Sequence, residues 1–348
     1  MLRCATEIDM PTATIFTCAG PELTADETAF FKEVQPFGFI LFADNIETPE
    51  QVRNLTDSMR ECVGREDAPV LLDQEGGRVA RLQPPQWRAT LPAKRYGDLA
   101  LTDKTAALRA TWINGRLLAA ELYELGINVD CAPVLDLSIP GAHDVIGDRS
   151  FGADPALVIE LARAFSEGLM SGGVLAMIKH VPGHGRAMAD SHKELPTVDL
   201  PRAELEKTDF APFKGLADVP LAMTAHILFP QIDPERPATT SPIVISEIVR
   251  GYIGYQGLIV SDDVTMAALS GSDRVRAETT REAGCDVVLH CYAELEQMRE
   301  IAIGSGEMES DSIARWTAAQ QKVKDAPINA DLKALAQEHS ELMEGANT

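Results

Sequence analysis

Short runs of almost unbroken apolar residues recur along the chain, separated by longer stretches in which apolar positions return every three or four residues. The runs cover residues 13–20, 37–43, 68–75, 127–137, 173–181, 220–228, 257–263 and 285–291. Continuous rather than alternating apolar character predicts strands buried on both faces. The stretches between them predict amphipathic helices over 48–63, 101–125, 155–171, 246–252 and 273–284. Thr48-Pro49-Glu50 supplies a helix start, and Ser171-Gly172-Gly173 stops another.

Eight strands alternating with helices predict an α/β fold whose parallel sheet closes into a (β/α)8 barrel of the TIM type. An open doubly wound sheet satisfies the same alternation, and counting strands does not separate the two. The domain reading is a barrel over residues 1–303 and a polar, acidic, helix-rich extension over 304–348 packed on it. No internal repeat or low-complexity linker interrupts this order.

Composition narrows the function classes. The 348 residues carry 53 acidic and 31 basic side chains, a net charge of −22. Such a surface repels phosphate backbones and anionic lipid, so a nucleic-acid or membrane-surface partner is not expected. No apolar stretch reaches the ~18 residues of a membrane span. Glu7 and Asp9 fall where a signal peptide would need its apolar core. The six cysteines are scattered without a Cys-x-x-Cys spacing, as expected of free thiols in a reducing cytoplasm.

Polar residues gather at the carboxyl ends of the predicted strands, where barrels of this kind place their working groups. These are Asp73-Gln74-Glu75 with Arg78 and Arg81, then Asp148-Arg149, Lys179-His180, Thr224-Ala225-His226 and Ser261-Asp262-Asp263. Three of the seven histidines, His180, His184 and His192, fall within the loop after the fifth strand. Asp190 and His192 are separated only by Ser191. In a turn-like loop that carboxylate can hold one imidazole nitrogen, fixing the tautomer of a group able to exchange protons near neutral pH. An isolated Asp-x-His is ordinarily a surface coincidence; the clustering favours function here. Of Asp262 and Asp263, neighbours on a strand, one is expected to face the barrel mouth. The same histidines with Asp190 offer enough ligands for zinc, but the first strand contributes none, and no metal is the preferred expectation.

Three segments carry a family resemblance: LLDQEGGRVARL (71–82), KHVPGHGRAMADSHKELP (179–196) and LIVSDDVTM (258–266). IGDRSFG (146–152) and AMTAHILFPQIDP (222–234) agree with it. Together they resemble glycoside hydrolase family 3, in its β-N-acetylhexosaminidase branch. The resemblance implies a barrel and a retaining double displacement. It implies Asp262 as nucleophile, His192 as general acid/base and Asp190 as the partner of His192. It implies Asp73, Arg81, Arg149, Lys179 and His180 as the residues that bind the terminal sugar. Glu75 and Arg78 are expected to brace the site, with Glu75 as a catalytic carboxylate the weaker reading.

The implied activity is release of non-reducing terminal N-acetylglucosamine from peptidoglycan fragments, such as those ending in 1,6-anhydro-N-acetylmuramic acid. The expected setting is cell-wall recycling by a cytoplasmic monomer, with a small carbohydrate substrate and no cofactor. A different β-glycoside or phosphorolytic specificity, and a sugar-binding barrel without turnover, are the alternatives. The chain departs from the family pattern at VLHCYAEL (288–295), where relatives often carry an Asn-containing turn. It departs again at Ala43-Asp44, where relatives often have a basic residue.

Overall fold

A strand that is covered on both faces has no solvent side for polar residues, and the runs identified above have the composition this demands. The computed structural model describes residues 10–141, 143–187, 191, 194–326 and 329–344. Each apolar run holds one strand of a closed, wholly parallel barrel. The strands are β1 (Thr12–Phe16), β2 (Pro36–Leu41), β3 (Val70–Leu72) and β4 (Val129–Asp130). They continue as β5 (Leu175–Val181), β6 (Leu221–Thr224), β7 (Leu258–Asp263) and β8 (Val287–Leu289). Strand β8 returns to β1 through Thr14 opposite Val288 and Ile15 opposite Leu289, so the sheet is closed rather than open.

The strands are shorter than the runs. Residues 127–137 yield only the two residues of β4, because Pro133 has no N–H to give the ladder. Past it, a single bridge from Val134 to Lys179 keeps the chain running beside β5.

The helices follow their caps. Thr48 accepts from the Gln51 N–H and the helix spans Pro49–Val63. The stretch 101–125 is helical over Lys104–Glu124, starting after Asp103, whose carboxylate accepts from the Ala106 N–H. Pro155–Ser171 and Asp273–Ala283 fall where the periodicity puts them, and Val244–Tyr252 is a π-helix. Among the further helices, Ala25–Val34 sits between β1 and β2 behind a reciprocal capping box of Thr24 and Glu27. The Lys104–Glu124 and Pro155–Ser171 helices approach closely at Gly168, where a Cβ would lie 2.2 Å from the Trp112 carbonyl oxygen.

Two apolar layers result. One lies between sheet and helices; the other fills the barrel with Ile15, Ile40, Leu71, Val129, Met177, Met223, Val260 and Leu289 among others. The inner layer continues into the C-terminal segment. Met308, Trp316 and Ala319 close the barrel floor, and the Trp316 ring stands edge-on to Phe37 at 5.3 Å. The boundary expected at residues 303 and 304 falls inside the helix Leu295–Ser305, and helices Ser310–Gln321 and Leu332–Glu344 follow. No helix among the described residues is long and apolar enough to cross a membrane.

Candidate active site

Side chains alternate across a strand, so every second residue points into the barrel. Leu175 and Met177 point inward on β5, and Lys179 is next in that line; Leu258 and Val260 on β7 lead to Asp262 in the same way. The interior thus changes from apolar to charged at the carboxyl ends of the strands. There a cavity of about 180 Å³ is lined by Asp73, Arg81, Arg149, Lys179, His180 and Asp262. Every described residue expected to act on the sugar lies in this one cavity. Asp190 and His192 lie outside the described residues; Ser191, between them, lines the cavity. A larger groove of about 770 Å³ runs between the helices Ala25–Val34 and Pro49–Val63, but its charged residues Glu22, Lys32, Glu50 and Glu61 are all exposed and none converge.

The charged residues form an alternating series. Arg81 reaches Asp73 at 3.0 Å, and Lys179 bridges Asp73 at 2.7 Å and Glu75 at 2.6 Å. Arg149 then holds Glu75 through two hydrogen bonds of 2.8 and 2.9 Å. Burial pushes both carboxyl groups up, but Lys179 and Arg81 outweigh it at Asp73 and hold it well below the carboxylate range. At Glu75 the opposing cations are Lys179 and Arg149, which bring it down to about 2. Burial would favour a neutral Lys179, yet Asp73 and Glu75 raise its ammonium above the usual value. Glu75 is therefore a brace for two cations rather than a carboxylate free for chemistry. Arg78 braces at greater distance, bonding Asp148 and the carbonyls of Asp144, Val145 and Ile146.

Gln74 sets this arrangement. Its Oε1 accepts from the backbone N–H groups of Arg81 and Leu82, at 2.8 and 3.0 Å, folding the chain back so that Arg81 returns beside Asp73. The return is a hairpin of Gln74–Gly76 and Val79–Ala80, and Gly76 turns it at φ +103°, a conformation that favours glycine.

On β5 the pairing with β6 shifts register between Lys179 and Val181, and both Lys179 and His180 line the cavity. At the end of β7 only Asp262 lines it, while Asp263 turns to accept from the N–H and hydroxyl of Thr265. Burial raises the Asp262 carboxyl; the imidazoles of His226 and His180, the Asp263 N–H and Lys179 more than offset this and lower it. An ionised carboxylate, partly open to the cavity, is the result. His226, fully buried at the end of β6, meets the Asp263 carbonyl oxygen through Nε2 at 2.8 Å and Thr239 Oγ1 through Nδ1 at 2.8 Å. A carbonyl can only accept, so Nε2 carries a proton. Burial lowers this imidazole's pKa, with Asp262 and the Asp263 carbonyl opposing.

Sequence reasoning did not single out Asp136. Its carboxylate is buried and meets His180 Nδ1 at 2.7 Å and the His184 N–H at 2.6 Å. His184 itself is buried at the cavity wall, with Nδ1 unbonded among the described residues and its pKa lowered by burial to about 4. Among the described residues no group of three or more His, Cys, Asp or Glu side chains is arranged to hold a metal.

Residues 6–324 match the model of the glycosyl hydrolase family 3 N-terminal domain. The chain is 41% identical over 278 residues to a β-hexosaminidase of Bordetella avium, covering 78% of each protein. Its fold is similar to the crystal structure of NagZ from Neisseria gonorrhoeae in complex with N-trifluoroacetyl-D-glucosamine, with a TM-score of 0.86 and 32% identity, over 96% of this chain and 98% of that one. A family 3 β-N-acetylglucosaminidase from a Paenibacillus species gives a TM-score of 0.83 at 30% identity, covering 96% of this chain and 66% of the other. The chain is a barrel glycoside hydrolase and belongs to glycosyl hydrolase family 3.

Proposed function

We propose that the chain is a retaining, exo-acting β-N-acetylglucosaminidase that releases non-reducing terminal N-acetylglucosamine from peptidoglycan fragments, including those linked to 1,6-anhydro-N-acetylmuramic acid. The setting we propose is cytoplasmic recycling of cell-wall material by a monomer. The observation that carries the reading is the convergence of Asp262 with Asp73, Arg81, Arg149, Lys179 and His180 on one cavity. A charged cavity of about 180 Å³ suits a single terminal sugar better than a run of sugars. The activity of the hexosaminidase relatives supports the amino-sugar preference.

The chemistry follows from the side chains. Asp73 accepts hydrogen bonds from sugar hydroxyls while Arg81, Lys179 and Arg149 donate them, which fixes the ring over Asp262. Asp262, ionised, attacks the anomeric carbon. His192, oriented by Asp190, protonates the glycosidic oxygen as the bond to the leaving group breaks. The product of this step is a glycosyl ester on Asp262 and a free aglycone. His192, now neutral, takes a proton from water, whose oxygen attacks the same carbon and restores Asp262 with net retention. An aspartate–imidazole pair thus does the work of the second carboxyl group found in most retaining glycosidases.

Incubation with a 2-acetamido substrate analogue fluorinated at C5, followed by proteolysis and mass analysis, tests this. A glycosylated peptide containing Asp262 is expected. Labelling of another residue, or turnover with no trapped ester and inverted product, overturns the assignment.

A further inference from the structure

The cavity wall holds an aspartate–histidine contact built entirely from described residues. Asp136 follows β4 on backbone laced to β5: the Leu135 N–H donates to the Lys179 carbonyl at 2.7 Å, and the Lys179 N–H to that of Pro133 at 3.2 Å. From the other side Ser150 Oγ donates to the Asp136 carbonyl at 2.7 Å. This anchoring places a carboxylate of 1% exposure behind the cavity wall. Oδ1 accepts from the His184 N–H at 2.6 Å and Oδ2 meets His180 Nδ1 at 2.7 Å, with the His180 N–H at 3.3 and 3.4 Å from the two oxygens.

A buried charge persists only when such donors satisfy it. Burial pushes Asp136 up, but His180, His184 and the His184 N–H outweigh it and keep it ionised. An ionised carboxylate only accepts, so the ring nitrogen it faces must carry the proton. That leaves His180 Nε2 as the nitrogen available to the cavity that His180 shares with Asp262. The rings of His180 and His184 lie 5.8 Å apart, and Lys179, Arg149 and Asp262 complete the charged surroundings.

We propose that Asp136 is a positioning residue: it holds His180 with the proton on Nδ1 and so presents Nε2 to the sugar beside Asp262. The proposal rests on reading the cavity as the glycosidase site. It assigns a role to a residue that touches neither sugar nor reacting atoms and acts through His180.

The test reads the ring proton directly. Long-range proton–nitrogen spectra of the ¹⁵N-histidine-labelled protein, with His180 assigned by its loss in His180→Asn, are expected to show Nδ1 protonated in the wild type. In Asp136→Asn the proton on Nδ1 is no longer enforced, and the His180 signals should move to the other tautomer or to a mixture. Turnover of a nitrophenyl N-acetylglucosaminide should fall roughly 100-fold in kcat/KM, the scale of misplacing a group that aligns the substrate. An unprotonated Nδ1 in the wild type overturns the proposal without any variant. So does a folded Asp136→Asn whose His180 signals and kcat/KM both match the wild type. The spectra need no substrate, so they decide the role of Asp136 separately from turnover, whose complete absence in the wild type would overturn the glycosidase reading instead.

Discussion

Arg149 holds Glu75 in a two-pronged grip, Nε to Oε2 at 2.8 Å and a terminal nitrogen to Oε1 at 2.9 Å, with the carboxylate almost entirely buried. The same carboxylate neutralises Lys179. Glu75→Gln therefore strands two cations at the cavity wall. Breaking one partner from a buried ion pair costs about 3–5 kcal/mol, and a loss near the lower end is expected in urea titrations because Asp73 still faces Lys179. With Arg149 and Lys179 no longer held, kcat/KM should fall at least ~10-fold, mostly through KM. The pH dependence has a definite sign. Glu75 is depressed from 4.5 to about 2, so its stabilisation is present above pH 4.5 and is lost as pH falls through about 2. The wild type should lose stability across that window faster than the variant.

The role proposed for His192 separates leaving groups by their need for a proton. A nitrophenolate departs unaided, whereas a sugar alkoxide does not. His192→Ala should slow hydrolysis of a disaccharide by ~10²–10⁴-fold, the range of general acid catalysis, and slow the nitrophenyl glycoside far less. Asp190→Asn should follow the same order with smaller losses. Steady-state kcat/KM on the two substrates is the measurement. An equal loss on both would argue that His192 serves the fold or binding rather than proton transfer.

The barrel was legible because burial on both faces leaves a plain composition: all eight apolar runs hold strands. The charged cavity was legible for a related reason. Lys179 and Asp262 extend inward-facing apolar lines, so a charge at the next alternate position has to face the mouth. Asp136 escaped because 127–137 reads as one strand, within which an aspartate looks like a strand-end residue. Pro133 in that run was the available signal, since it ends the ladder and frees the following residues to turn behind β5. The helix Ala25–Val34 escaped for want of periodicity, although Thr24 and Glu27 spell a capping box. The floor of the barrel was not legible at all. A polar helix pattern does not say which of its few apolar residues meets a partner far away in sequence.

Asp130 ends β4 beside the inward-facing Val129, in register with Leu72 and Ala176 of the layer between sheet and helices. It is fully buried, Oδ1 accepts from the Gln74 N–H at 3.0 Å, and Oδ2 has no partner among the described residues. Burial is the main cause that pushes its pKa up to about 8, with Asp73 and Glu75 adding to it and the Gln74 N–H and Lys179 opposing. A raised carboxyl favours the folded state below the unfolded value, and that advantage is lost as pH rises toward about 8. Stability should therefore fall between pH ~4 and ~8 by at most about 1.4 kcal/mol per unit from this group. Asp130→Asn keeps the acceptor for Gln74 and removes the titration. Urea unfolding across this range should show the variant gaining on the wild type as pH rises, with the difference levelling off in alkali. A constant difference at every pH would mean that Asp130 does not titrate there.

Trp316 tests whether the C-terminal segment is part of the barrel's own core. Its ring is 3% exposed, edge-on to Phe37 of β2, and shares the interior cluster with residues of all eight strands. Backbone contacts fix it there: the Met308 N–H donates to the Pro11 carbonyl at 2.8 Å, and Thr12 bridges Glu307. Truncating a buried tryptophan costs about 3–5 kcal/mol through lost burial and the cavity left behind. Trp316→Ala should lower the unfolding free energy from urea titration by that amount in one cooperative transition, while KM for a nitrophenyl N-acetylglucosaminide stays within twofold (~0.4 kcal/mol) of the wild type, because the floor and the mouth are separated by the apolar interior. A small loss, or a separate early transition confined to the tail, would show that 304–348 rests on the barrel as an appendage instead of sealing it.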